Sequence, residues 1–306
     1  MREQKMRIGM TSMVLIVGVI TVMARSVVEI AQTPPTAEEL AEMTAIRPVP
    51  GKNGLYVIPG YDGGTTGGNV AVRVTNDGVI LVDNKFPYSF EMISTEVRKV
   101  TSLSVKYVLD THHHSDHSGS NADFMAVGEV IAHKNARGNI IRNNLTGAPR
   151  VVFSDETSVF LGGVEVQAHH FGRGHTNGDA VVFFPDLKTV HTGDLFIWGK
   201  RSDGSALSPF MDYSNGGSGL DWTATLDGVL ELDFDTVIPG HGPVLTKDEV
   251  RTFRNRMLAL QDRMRAAIDG GATRDNIVSR VETNDLDWPF QPAALQAFYD
   301  EVVAAQ

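Results

Sequence analysis

From Leu55 to about residue 245 the chain is written in short apolar runs broken by glycine, asparagine and aspartate. "LYVIPG", "NVAVRVT" and "GVILVDN" are rich in β-branched residues and end on turn formers, so they predict strands. "TNDG" (75–78) between the last two predicts a hairpin turn, and "YDGGTTGGN" (61–69) between the first two is a glycine-rich loop. "FEMISTEVRKV" (90–100) has the apolar spacing of an amphipathic helix. "VKYVLD" (105–110) and "EVIAH" (129–133) predict strands, and "KNARGNIIRNN" a helix. "VVFS", "SVFLG" and "VEVQAHHF" continue as a meander, followed by strands "DAVVFFP" (179–185) and "TVHTGD" (189–194) across the turn "DLK".

The pattern then loosens. Residues 199–219 form a long Gly/Ser-rich loop, and a loop of that length inside a compact domain is usually functional. "LDWTATLDGVLEL" predicts a helix and "DTVIPG" a strand. From Lys247 the pattern is helical to the C-terminus. Met257, Leu260, Met264 and Ile268 stand at helical spacing and predict a face packed on the domain. Upstream, residues 32–53 are Pro-rich at both ends with a short acidic helix between, the composition of a linker or surface strap. This divides the chain into an N-terminal segment (1–31), a linker (32–53), a main domain (54–245) and a helical extension (246–306).

The N-terminal segment changes the picture. Arg2, Lys5 and Arg7 precede a stretch without charge, residues 8–24. A basic start followed by an apolar run predicts an export signal, hence a periplasmic or secreted protein. An uncleaved membrane anchor is the alternative, at the short limit for a span. The formal net charge of −10 opposes a nucleic-acid partner, because phosphate binding draws on a basic surface. There is no cysteine, so disulfides, thiolate nucleophiles and Cys-ligated zinc are ruled out. Any metal must be held by histidine and carboxylate.

Those residue types cluster where a strand ends. "VKYVLD" delivers the chain into "THHHSDH", which places His112, His114, Asp116 and His117 in an H-x-H-x-D-H spacing. Alternate residues in a tight loop can face one way, so His112 and His114 can share a metal. Asp116 and His117 can turn toward a second metal roughly 3.5–4 Å off, the separation of hydrolytic pairs. Three further polar residues end predicted strands beside glycine: His175 in "GRGHTNGD", Asp194 in "HTGDLF" and His241 in "IPGHG". Strand-end loops along one edge converge, and glycine permits close backbone approach.

The set "HHHSDH", "GHTNGD", "HTGD" and "IPGHG" resembles the metallo-β-lactamase superfamily over roughly residues 50–245. The resemblance implies an α/β fold, a four-layer αββα sandwich, here with a C-terminal helical tail. It implies that His112, His114 and His175 hold one metal, that Asp116, His117 and His241 hold a second, and that Asp194 bridges them. Two Zn²⁺ per chain are the expected cofactors, with iron or manganese as alternatives. The expected activity is hydrolysis, by a metal-bridging hydroxide, of an ester, thioester, lactone or β-lactam bond in a small molecule. Asp116 is the expected catalytic carboxylate, able to orient the attacking water. Aspartate at 194 is similar to the glyoxalase II and lactonase pattern, whereas the runs 66–84 and 178–196 are similar to β-lactamase strands. The rival is an iron-dependent sulfur or oxygen redox enzyme on the same scaffold. His114 weakens the flavodiiron version, which has glutamate there, and the complete second ligand set weakens a one-iron dioxygenase.

Several residues stand beside this set. Lys200, Arg201 and Tyr213, in or beside the long loop, are candidates for gripping substrate or stabilising an oxyanion. Phe210, Met211 and Trp222 are candidates for an apolar wall. Asp83, ending "VILVD", can orient the ligand loop by hydrogen bonding. His113, His133 and His191 are expected to be structural, and His169 and His170 stay open.

Overall fold

The alternation inside the strands shows how the layers stack. The computed structural model of the chain describes residues 36–201 and 204–306. One sheet has seven strands in sequence order: β1 (Arg47–Pro48), β2 (Leu55–Ile58), β3 (Val70–Val74), β4 (Val79–Val82), β5 (Val105–Leu109), β6 (Glu129–His133) and β7 (Val151–Phe153). Its strands are antiparallel up to β4 and parallel from β4 onward. The other sheet has six: β8 (Glu156–Leu161), β9 (Val164–His169), β10 (Val181–Phe184), β11 (Thr189–His191), β12 (Thr236–Ile238) and β13 (Leu245–Thr246). Here only the β11–β12 pair is parallel.

Every residue of β4 and β10 is buried, the mark of strands covered on both faces. Alternate residues enter different cores. Val79 and Leu81 pack with Ile93 and Val97 of helix α2 (Phe90–Arg98). Ile80 and Val82 meet Val182 and Phe184 between the sheets. Val181 and Phe183 point out of the second sheet toward Trp222, Leu226 and Phe253. Three cores separate four layers, so the protein is an αββα sandwich.

Short helices α1 (Ala37–Met43), α3 (Ser115–Ser118), α4 (Asn121–Phe124) and α5 (Lys134–Arg142) lie among the strands of the first half. The outer layer of the second half is α6 (Trp222–Glu231), α7 (Lys247–Asp269) and α8 (Pro292–Ala304). Thr246 and Glu249 form a reciprocal capping box that starts α7. Phe253, Met257, Leu260 and Met264 are fully buried on one face of α7. Each such side chain contributes about 1.5–3 kcal/mol by leaving water. The helical extension therefore supplies much of one layer.

Two details differ from the sequence reading. The meander comprises β8 to β11 only. "VVFS" forms β7, which adds in parallel to β6 at the far edge of the first sheet. Length explains the error, because a three-residue apolar run carries no pairing information. Residues 36–53 do more than link. They hold α1 and the edge strand β1, where Pro48 is tolerated because no further strand needs its missing N–H. The basic and apolar run before them lies outside the described residues. Among the described residues no helix is long and apolar enough to cross a membrane.

Candidate metal centre

All seven predicted ligands lie in the segments that follow strands, Asp116 and His117 in the short helix α3. His112 to His117 follow β5, His175 joins β9 to β10, Asp194 follows β11, and His241 follows β12. Parallel pairing of β4 with β5 and of β11 with β12 brings the loop-bearing ends to one edge. Glycine makes the convergence sterically open. A side chain at Gly68 would collide with the His117 ring, and one at Gly240 with the Asp194 carboxylate.

The outward nitrogens of the histidines decide what the inward ones can do. Thr111 has one hydroxyl hydrogen and gives it to Asp83 Oδ2, at 2.9 Å. Its oxygen therefore accepts from His112 Nδ1, 3.0 Å away, which leaves a lone pair on His112 Nε2. His117 Nδ1 donates to Asp83 Oδ2 at 2.7 Å. His175 Nδ1 donates to the Phe210 carbonyl at 2.6 Å. His114 Nε2 donates to Asp212 Oδ2 at 2.9 Å. His112, His114 and His175 are thus held in one tautomer with a lone pair turned inward, the way protein partners prepare metal-binding histidine, and Asp83 fixes the orientation of the His117 ring.

The inward atoms form overlapping donor groups, each within 4.8 Å: His112 with His114 and His175; Asp116 with His117 and His241; and His112 with His117 and Asp194. His175 Nε2 lies 2.8 Å from His114 Nδ1, and His117 Nε2 lies 3.2 Å from His241 Nε2. Asp194 faces both sides. Its Oδ1 is 3.2 Å from His117 Nε2 and 3.4 Å from His241 Nε2, and its Oδ2 is 3.7 Å from His175 Nε2. Asp116 Oδ2 lies 3.3 Å from His241 Nε2.

These residues fit divalent cations. The buried His112 Nε2 and Asp194 Oδ1 have no hydrogen-bond partner. A buried polar atom left so is costly unless something else satisfies it. Two lone pairs facing each other at 2.8 Å need a positive charge between them. Burial holds His112 well below the ordinary histidine value and pulls His175 down to about 4. On the other side burial opposes charge too, but the carboxylates prevail. Asp116 and Asp194 raise His117 well above its ordinary value, and Asp194 with Asp116 raises His241 to about 9. An all-imidazole and an imidazole–carboxylate group suit zinc, iron or manganese.

The other named residues sort plainly. Asp83, left-handed at φ 63° and fully buried, accepts from the Thr111 backbone and hydroxyl as well as His117. It orients the ligand loop. His113 is buried beside Asn139 and Asp212, pointing away from the inward cluster. His191 Nδ1 accepts from Gly193 N, and its Nε2 lies 3.2 Å from the Asn69 carbonyl. His133 caps α5 and stacks on His170 at 3.9 Å, while His169 pairs with Gln167 and Glu156.

The residues expected to contact substrate have partners of their own in the fold. Tyr213 gives its hydroxyl hydrogen to Glu301 of α8, at 3.0 Å, and is spent on the outer layer. Lys200 pairs through its backbone with Ala206, and the exposed Arg201 side chain donates to the Ala206 carbonyl. Trp222 is a core residue whose indole N–H donates to Leu195 O. Phe210 alone stays at the mouth, 58% exposed, its ring 5.7 Å from His175 and 6.3 Å from His114.

Sequence reasoning missed four supports. Asp212 was hidden in the long loop. Asp179 accepts from Gly174 N, Thr176 N and Thr176 Oγ1 and closes the turn carrying His175. Asp110, buried and pushed well above its ordinary value, joins Asn84 and Asn121 beneath the ligand helix. Lys85 is 1% exposed, and burial lowers it to about 7 against the pull of Asp116, Asp83 and Asp62. A charged residue close after a buried strand was the one available signal for Lys85.

The family model of the metallo-beta-lactamase superfamily matches residues 63–241. The chain belongs to this superfamily. It is 26% identical over 196 residues to the metallo-beta-lactamase type 2 of Elizabethkingia meningoseptica, covering 62% of this chain and 76% of that protein. It is 30% identical over 161 residues to the probable hydroxyacylglutathione hydrolase glo2 of Schizosaccharomyces pombe, covering 49% of this chain and 57% of that one. Among solved structures, a metallo-beta-lactamase from Pontibacter korlensis superposes with a TM-score of 0.59 at 19% identity. That match covers 70% of this chain and 98% of the other and supports the fold. As a member of the metallo-beta-lactamase superfamily with this donor set, the protein is a metal-dependent hydrolase.

Proposed function

We propose that the protein is an exported hydrolase that holds two Zn²⁺ ions and cleaves a carbonyl bond, an ester, thioester, lactone or β-lactam, in a small molecule. The carrying observation is Asp194, whose two oxygens face different donor groups. A carboxylate so placed joins two sites. His112, His114 and His175 would hold one ion; Asp116, His117 and His241 the other. Bound cations would supply Lewis acidity and a water whose pKa falls from about 15.7 toward about 7.

The chain's own groups do the rest. Asp83, Asp212 and the Phe210 carbonyl keep the imidazoles turned inward, so no reorganisation is needed when substrate arrives. Asp116 is 14% exposed in its side chain, and its carboxylate would orient the attacking water. Export is supported by Arg2, Lys5 and Arg7 ahead of an uncharged stretch. Relatives named as β-lactamases and as a hydroxyacylglutathione hydrolase support carbonyl cleavage as the reaction class.

Elemental analysis with a hydrolysis panel of β-lactams, lactones and thioesters tests this reading. The expected result is about two zinc per chain. Asp116→Ala should lower the best activity on the order of 10³-fold, about 4 kcal/mol of barrier. One iron per chain, or hydrolysis indifferent to Asp116→Ala and His112→Ala, overturns it.

A further inference from the structure

The glycine-rich loop closing over the centre is fastened by a buried cation. Lys85 follows β4 in the left-handed region, φ 58°, where a non-glycine residue is uncommon. Its Nζ donates to three carbonyls of one loop: Pro59 at 2.8 Å, Thr66 at 2.7 Å and Gly68 at 2.6 Å. Three acceptors call for three N–H groups, which only an ammonium has. The fastened loop rests on the ligands. Gly68 N donates to the Asp116 carbonyl, and any side chain at Gly63 would press on the Asp116 carboxylate.

Lys85 also grips from its other end. Its own carbonyl accepts from Gly119 N at 2.7 Å, and the preceding Asn84 N donates to the His117 carbonyl at 2.6 Å. One residue thus ties the segment carrying Asp116 and His117 to the loop that covers it. The His112–His114–His175 group has no such link: its supports are Thr111, Asp212 and Phe210.

We infer that Lys85 is a positioning residue: its buried ammonium clamps loop 60–68 onto Asp116 and His117 and thereby sets the cation affinity of the Asp116–His117–His241 group selectively. The selectivity rests on the two-cation reading above; the clamp itself does not. Burying an ammonium without partners would be strongly unfavourable; the three carbonyl bonds, with Asp116, Asp83 and Asp62 nearby, offset that cost.

Lys85→Met keeps the stem and removes the charge. Hydrogen exchange of metal-free protein should show the 60–68 amides exchanging at least tenfold faster than in the parent, with β10 unchanged. Zinc titration should show the tighter equivalent retained and the second weakened about tenfold or more, the usual scale for lost ligand support. Should Lys85→Met fail to fold, Lys85→Arg, which keeps the charge but not the three-donor fit, is read the same way. Unchanged exchange in the loop overturns the clamp. Equal weakening of both equivalents overturns its selectivity. A parent that takes up one equivalent only overturns the two-cation reading, and the exchange measurement then decides the clamp alone.

Discussion

The two donor groups are built from different chemistry and supported from different places. One is three imidazoles, two of them lowered by burial and each braced by a neutral or anionic acceptor on its far nitrogen. The other mixes carboxylates with imidazoles that those carboxylates raise. The first therefore carries uncompensated lone pairs, whereas the second is internally neutralised by ion pairs. Supports differ as well. The first leans on the long loop that contains Phe210 and Asp212. The second leans on Asp83 and the glycine-rich loop. Rigid, pre-turned imidazoles need little rearrangement to receive a cation. The ion-paired group must exchange one set of charge contacts for another. The first group should bind more tightly on these grounds.

Asp83 is where the two groups meet, so changing it should do the most damage. Its carboxylate braces His117 directly and His112 through Thr111. In Asp83→Asn the amide cannot accept from His117 and both Thr111 donors at once. An amide N–H turned to His117 Nδ1 would make that nitrogen an acceptor, switch the tautomer and put the ring hydrogen on the inward Nε2. Zinc titration should show both equivalents weakened about 10–100-fold. Loss confined to one equivalent would mean that the groups share no support.

Asp212→Asn is the narrower cut. It touches His114, leaves His117 braced by Asp83 and does not touch His241. The tighter equivalent should weaken roughly tenfold while the second changes little. If both fell together, the division between the groups would be wrong.

These tests also mark how far the sequence could be read. The candidate ligands were legible because four share one local spacing and the other three each stand beside glycine at a strand end. Asp83 was half legible, ending a strand that pairs with the ligand strand. Asp212 was not, because it meets His114 across 98 positions of chain through a loop without periodicity. Tyr213, the next residue in the same loop, has a side chain whose type suits substrate contact. The structure gives its hydroxyl to Glu301, on a helix no local pattern connects to it. Layers follow from alternation, since β4 and β10 each feed two cores. Partnerships between loops depend on tertiary closure, which alternation does not encode.

Asp179 offers the smallest and most specific test, on the first group's side. It closes the turn that presents His175, accepting from two backbone N–H groups and a hydroxyl. Those donors favour its charge, yet burial outweighs them and pushes it up to about 7 from an ordinary value of 3.8. Between those values the folded chain keeps a proton that the unfolded chain has released. Stability contributed by this group is therefore highest at low pH and declines as pH rises through that window. Asparagine at this position cannot titrate and should remove the slope. Melting metal-free parent and Asp179→Asn from about pH 4.5 to about pH 7.5 isolates it from any cation. The parent should lose ground against the variant as pH rises, then hold level above about 7. A difference that stays constant across the range would place the proton elsewhere. It would leave Asp179 as a charged brace, making the turn beneath His175 resemble the ion-paired group more than the neutral one.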